Sequence, residues 1–183
     1  MAFSVILDTC VLYPAHLRDT LLRLAERNLY QARWSSDVIE ELRRNLVKAD
    51  VTSGSVDGLI KEMLAAFPEA EVKDYQVFIE TVTCHPKDRH VLAAAVRGEV
   101  GAIVTHNVGD FPPSSVDPHQ IEVVHPNDFL LDLLELAPRV VIDELHAQAA
   151  ANRRAPKTLP DLLGALAIAG APSFADEIRR HLT

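Results

Sequence analysis

The sequence predicts an α/β fold, a parallel sheet flanked by helices with a helical C-terminal appendage, and three observations predict it. Short β-branched apolar runs alternate with longer segments of helical spacing over the first 134 or so residues, which is the pattern of a parallel sheet covered by helices. The runs end abruptly on polar residues, as buried strands do at a sheet edge. Beyond Pro138 no further strand is legible, and only helical segments follow.

The first strand is Ser4-Val-Ile-Leu7, which stops at Asp8-Thr9. From Arg18, Leu21, Leu22, Leu24 and Ala25 recur at helical spacing among Arg and Glu, and the helix gives out near Asn28 to Tyr30. Ala32-Arg33-Trp34 reads as a short strand. Ser35-Ser36-Asp37 offers N-caps for a helix running to about Lys48, with Val38, Leu42 and Leu46 as its apolar stripe. A polar loop or helix start over residues 50–58 leads into the amphipathic segment Leu59 to Phe67, closed by Pro68. Residues 72–82 show neither helical nor strand period.

His85-Pro86-Lys87-Asp88 then opens a nearly all-apolar helix, Val91 to Val96, that must lie buried against the sheet. Ala102-Ile103-Val104 is a strand ending at Thr105-His106-Asn107 and the turn Gly109-Asp110-Phe111-Pro112-Pro113. Ile121 to Val124 is the next strand, after which Asn127 or Asp128 is placed to cap a helix carrying Phe129, Leu130, Leu133 and Leu134. Helices are expected over residues 140–151, 159–169 and 174–182. Residues 1–137 thus form one α/β unit, and residues 138–183 the appendage.

At 183 residues the chain fits one domain with such an addition. Hydrophobic residues make up 48% and charged residues 24%, which excludes a disordered chain. The net charge of −8 argues against a broadly basic nucleic-acid surface and against adhesion to anionic membrane. It does not exclude RNA, because acids gathered in one metal pocket leave Arg and Lys elsewhere for phosphates. Cys10 and Cys84 lie apart without a Cys-x-x-Cys pairing, so reduced thiols in a cytoplasm are expected. The apolar stretch before Asp8 is far shorter than a signal-peptide core or the roughly 20 residues of a membrane helix, and a cytoplasmic protein is expected.

In an open parallel sheet, functional groups collect beyond the carboxyl ends of the strands. Asp8 directly follows the first strand, and Thr105, Asn107 and Asp110 follow the Ile103-Val104 strand. Asp88, at the head of a buried helix, belongs at the rim of the sheet. At roughly 100° per residue, Glu41 lies at the margin of the Val38/Leu42/Leu46 stripe while Glu40 points more nearly to solvent. Each acid also has a plainer role. Asp8 would cap a helix beginning near Cys10, Asp88 its own helix, Glu41 would be solvated, and Asp110 would brace its turn.

Convergence of all four changes the argument. Two like charges about 4 Å apart cost ~1 kcal/mol in water and ~4 kcal/mol at an effective dielectric of about 20, so a cluster of carboxylates needs protons or cations. Hard oxygen ligands with open positions favour Mg²⁺ or Mn²⁺. Two such ions about 3.5–4 Å apart activate a water and stabilise the leaving oxygen of a phosphodiester.

Leu7-Asp8-Thr9, Glu41-Leu42, Asp88-x-x-x-Leu92-Ala-Ala-Ala95 and Thr105-x-Asn107-x-x-Asp110-Phe111-Pro112 together resemble a PIN domain, and most of all the VapC-like bacterial toxins, over about residues 3–131. The resemblance implies an Mg²⁺- or Mn²⁺-dependent ribonuclease held inactive by a small antitoxin protein and often a homodimer. It implies Asp8, Glu41, Asp88 and Asp110 as the metal-binding and catalytic tetrad, with Thr9, Thr105 and Asn107 hydrogen-bonding around it. Arg89, His90, Arg43 and Arg44 are candidates for substrate phosphate; Arg89 and His90 are equally at home at an exposed helix N-terminus, and Arg43 and Arg44, taken singly, fit a solvated helix surface better. His106 stands where the motif is variable and receives no ligand role.

Other classes fit less well. A haloacid-dehalogenase-like phosphatase wants a second Asp where Cys10 stands, a receiver domain wants an N-terminal acidic pair and a late Lys, and a dinucleotide binder wants Gly-x-Gly-x-x-Gly. No His-Glu-x-x-His or paired Cys/His spacing marks a zinc site. Two alternatives stay open: a PIN-like housekeeping nuclease acting on other nucleic acid, and a PIN-like binding or regulatory module without turnover.

Overall fold

A computed structural model describes residues 3–182. Met1, Ala2 and Thr183, at the outer ends of the two units expected from the sequence, lie outside the described residues. The chain runs β1 (Ser4–Leu7), α1 (Thr9–Leu12), α2 (Ala15–Glu26), β2 (Gln31–Arg33), α3 (Ser36–Lys48), α4 (Ser53–Ala66), α5 (Arg89–Arg97), β3 (Ala102–Val104), α6 (Pro113–Val116), β4 (Glu122–Val124), α7 (Pro126–Leu136), α8 (Pro138–Ala151), α9 (Leu159–Ile168) and α10 (Pro172–His181). The four strands form one sheet in the order β2-β1-β3-β4. All pairs are parallel. This is the predicted α/β architecture.

Register determines where the strand ends fall. Leu7 pairs with Val104, and Val104 with Val124. The ladder continues one residue further, with Asp8 N–H donating to Val104 C=O at 3.1 Å and Thr105 N–H to Val124 C=O at 3.0 Å. Asp8 and Thr105 therefore stand side by side at the carboxyl edge. The chain leaves β1 toward β2 and later returns to β1's other side as β3, so this edge is also the topological switch point, where the crossovers diverge and open a crevice.

Burial explains the strands: Val5, Ile6, Leu7, Ile103 and Val104 are each 0% exposed, with α5 laid across β1 and β3. The Val91 to Ala95 face of α5 is wholly buried, as its apolar run requires. The helices after α7 join the same core. Phe174, Ile178, Leu162 and Leu166 are buried, α8 and α9 pack on α2, and α10 packs on α7 and α9. Gln148 on α8 is fully buried; it accepts from Thr20 Oγ1 at 2.7 Å and donates to His16 C=O at 3.0 Å.

Several boundaries differ from the sequence expectation. The second strand is Gln31–Arg33, one residue earlier than Ala32 to Trp34; Trp34 instead bridges to Glu71, beyond the sheet. Residues 72–82 have no regular period because their order is tertiary: a short 3₁₀ turn at Gln76–Phe78 packs on α5, and buried Tyr75 donates its hydroxyl to Asp37 at 2.6 Å. Helix α2 starts at Ala15, directly after Pro14, and α4 runs unbroken from Ser53.

The cap of α7 is neither Asn127 nor Asp128. It is His125, whose Nδ1 accepts from Asn127 N–H at 3.3 Å. Pro126 decides this, since proline lacks an N–H and has the φ of a first helical residue, which makes the residue before it the cap. Asn127 serves a remote helix instead, its Oδ1 accepting from Ser173 N–H and Phe174 N–H of α10 at 2.9 and 3.2 Å. Proline at the first position likewise moves the starts of α8 and α10 two residues ahead of those read from apolar spacing.

Candidate functional site

Asp8 is buried and holds three donors. Its Oδ1 accepts from Thr9 N–H at 2.7 Å, and its Oδ2 from Thr105 Oγ1 at 2.7 Å and from the Cys10 thiol at 3.3 Å. The capping role considered for Asp8 is thus real, because Thr9 opens α1, and it coexists with a place in the cluster. Burial first, and then the neighbouring Asp8 charge, push the Cys10 thiol up to about 12, so it stays a proton donor at neutral pH.

Thr105 is completely buried; besides donating to Asp8 it accepts from Asn107 N–H at 3.0 Å. Thr9 points the other way and donates its hydroxyl to Glu41 Oε2 at 3.0 Å. Thr9 therefore spans Asp8 and Glu41, joining the end of β1 to α3. Glu41 is half-buried, whereas Glu40 is exposed and lies 3.6 Å from Arg43.

Asp88 ends a 3₁₀ turn, Pro86–Asp88, just ahead of α5, and its side chain makes no cap hydrogen bond. The residue is 7% exposed, and its Oδ2 is buried without a hydrogen-bond partner. Burial raises its pKa to about 6; Lys87 opposes this, and Asp8 and Asp110 add to it. The Lys87 ammonium lies 3.0 Å from Asp110 Oδ2 and 3.8 Å from Asp88 Oδ2. That contact holds Asp110 below the usual carboxylate range. Asp88 thus senses the charges of both Asp8 and Asp110, and Glu41 is tied to the end of β1 through Thr9.

Of the substrate candidates, His90 reaches the cluster, its Nε2 lying 3.9 Å from Glu41 Oε2. Its Nδ1, and the Nε of Arg89, are buried without partners. Arg43 is engaged with Glu40 and Asp57, and Arg44 is exposed on the same helix; no contact ties either to the carboxylates. Sequence reasoning gave Lys87 no role, although its place beside Asp88 in His85-Pro-Lys-Asp88 is a usable signal.

The donor set has the chemistry of a hard divalent-cation site: carboxylate oxygens, one of them buried and making no hydrogen bond among the described residues, with an ammonium standing between two of the acids. Among the described residues no three His, Cys, Asp or Glu side chains converge tightly enough to ligate one ion as they stand. Lys87 props Asp88 and Asp110 in their present arrangement, and Asp110 and Glu41, with side chains 31% and 39% exposed, have room to turn.

The burial of Asp88 leads to a measurable prediction. A carboxyl whose folded pKa is raised favours the folded state below its unfolded value, near 3.8, and loses that contribution as pH rises through about 6. In chelator at pH 7.5, Asp88→Asn is therefore expected to melt a few degrees above the parent, at roughly 2–4 °C per kcal/mol for a chain of this size. The gap should narrow at pH 5, where the parent carries the proton. An Asn variant melting below the parent at pH 7.5 would show that burying the Asp88 charge carries no such cost.

A parallel sheet with an acidic cluster at its switch point defines a class, and the family comparison agrees: the PIN-domain family model matches residues 4–109, more than half of the chain. The chain belongs to the PIN-domain family. A second model, described as the VapC50 C-terminal domain, matches residues 126–180. Among curated proteins, "Putative ribonuclease VapC50" of Mycobacterium tuberculosis (strain ATCC 25618 / H37Rv) is 42% identical over 106 residues, covering 58% of this chain and 62% of that protein. The chain thus spans less than two thirds of the relative's length. No solved structure matches.

Proposed function

We propose that this chain is a divalent-metal-dependent ribonuclease that cuts RNA phosphodiester bonds and acts as the toxin of a type II toxin–antitoxin pair. The observation that carries the reading is the buried Asp88 carboxylate, whose Oδ2 makes no hydrogen bond among the described residues and has only Lys87 and His85 at 3.8 Å, electrostatically coupled to Asp8 and Asp110 at the switch point of a PIN sheet. Such a group calls for a cation. Membership of the family implies divalent-metal chemistry in general, and Mg²⁺ or Mn²⁺ is the ion we assign. When bound, it would supply a nucleophilic water and charge stabilisation at the scissile phosphate.

The chain's own residues do the rest. Asp8, Glu41, Asp88 and Asp110 provide the oxygens. Thr9 and Thr105 aim Glu41 and Asp8 through their hydroxyls, and Asn107 is tied to Thr105 through its backbone. Lys87, its side chain 57% exposed, is placed to meet a phosphate oxygen beside Asp88 and Asp110. Arg89 and His90 stand at the head of α5, next to Asp88, and His90 Nε2 lies 3.9 Å from Glu41 Oε2. Residues 1–137 carry this chemistry, and the helices of 138–183 support it.

The partners in this reading are an RNA substrate, a small antitoxin protein and a second copy of the chain, in the cytoplasm. Among the described residues no helix is long and apolar enough to cross a membrane. Incubating a mixed RNA pool with the purified protein tests the proposal. Cleavage is expected with Mg²⁺ or Mn²⁺ and none in EDTA; cleavage indifferent to EDTA, or none with either ion, overturns it.

A further inference from the structure

His106 and His125 follow Thr105 and Val124, which are themselves hydrogen-bonded across the ends of β3 and β4. The two rings meet edge to face, with centroids 5.1 Å apart, and His106 Nδ1 lies 3.2 Å from His125 Nε2. The network assigns the protons. His125 Nδ1 accepts from Asn127 N–H, so its hydrogen sits on Nε2 and is donated to Nδ1 of His106.

Each histidine is tied onward. His106 N–H donates to Cys10 Sγ at 3.2 Å, and Cys10 donates to Asp8; Thr105, the preceding residue, donates to Asp8 directly. On the other side, Asn127 holds the first amides of α10. Gly170, between α9 and α10, has φ +102°, and a Cβ there would come within 2.5 Å of His106 Cε1. The backbone between the two C-terminal helices is thus seated against the ring of the residue that follows Thr105.

We propose that His125 and His106 are positioning residues through which the C-terminal helices hold the loop 105–110, and with it Thr105 and Asp110, in place for the cation. The inference rests on the nuclease reading and adds to it a route by which helices outside the sheet act on the site. Glycine at 170 serves the arrangement twice: it takes the positive φ and leaves room for the imidazole.

The variants follow from side-chain length. In His125→Asn the amide oxygen takes the place of Nδ1 and keeps the α7 cap, but nothing reaches His106. His106→Leu removes the acceptor. His106→Asn, whose oxygen replaces Nδ1, keeps it.

Deuterium exchange of peptides covering residues 105–110, measured in chelator, is the readout that does not depend on activity. His125→Asn and His106→Leu are expected to exchange several-fold faster there, with α7 and α10 protected as in the parent, and His106→Asn to resemble the parent. Mn²⁺ affinity by calorimetry should fall roughly 10- to 100-fold in the first two variants, the usual cost of losing a partner that orients a ligand. Unchanged exchange at 105–110, or acceleration spread equally over α7 and α10, overturns the proposal. A parent protein that neither binds Mn²⁺ nor cuts RNA overturns the nuclease reading alone, and the exchange data still decide this one.

Discussion

Replacing Asp8 by Asn is expected to lower metal-dependent RNA cleavage by roughly 10²–10³-fold, because a bound cation supplies several kcal/mol to the transition state and each 1.4 kcal/mol is about tenfold in rate. Asp8 accepts three hydrogen bonds, from the Thr9 amide, the Thr105 hydroxyl and the Cys10 thiol; the amide N–H can only donate. The Thr9 N–H therefore keeps the amide oxygen of the Asn variant at the Oδ1 place and puts its nitrogen at Oδ2, so the variant loses both the charge and the oxygen that Thr105 and Cys10 hold. Mn²⁺ binding by calorimetry should weaken in parallel while circular dichroism stays that of the parent. Cleavage of an RNA pool at the parental rate by Asp8→Asn would remove Asp8 from the machinery.

Phe174→Ala is expected to cost about 3–5 kcal/mol, the usual loss for truncating a buried phenylalanine. At roughly 2–4 °C per kcal/mol this lowers the melting temperature by roughly 6–20 °C. Phe174 is 0% exposed, and α10, which carries it, packs on α7 and α9. The whole chain should melt in one transition at the lower temperature, because α8 and α9 pack on α2, whose Leu17, Leu21 and Leu24 are 0% exposed. A parental melting temperature, or a second transition left at its original place, would mean that the helices after residue 138 are only loosely attached.

The legible part of the site lay where the evidence is local. Asp8 and Thr105 stand where an apolar run ends, and Asp88 heads a helix too apolar to stand away from the sheet. Glu41 was separated from Glu40 by helical angle alone. The boundaries that failed did so for equally definite reasons. A proline at the first helical position made His125, and not Asn127, the cap of α7. Trp34 fell outside β2 because its pairing partner is Glu71, in a segment with no period of its own. The ordering of residues 72–82 depends on Tyr75 reaching Asp37, 38 residues away.

From the sequence by itself come the alternation of strand and helix and the places of Asp8, Thr105 and Asp88 at the ends of apolar elements, since each follows from burial and hydrogen-bond periodicity within a few residues. Only the tertiary structure decided that β1 lies between β2 and β3, that Thr105 meets Asp8 across 97 positions, that Lys87 stands between Asp88 and Asp110, and that Asn127 holds α10 from 46 residues away. Strand order and register bring those groups within reach, and both are properties of the packed chain that no short window of residues carries.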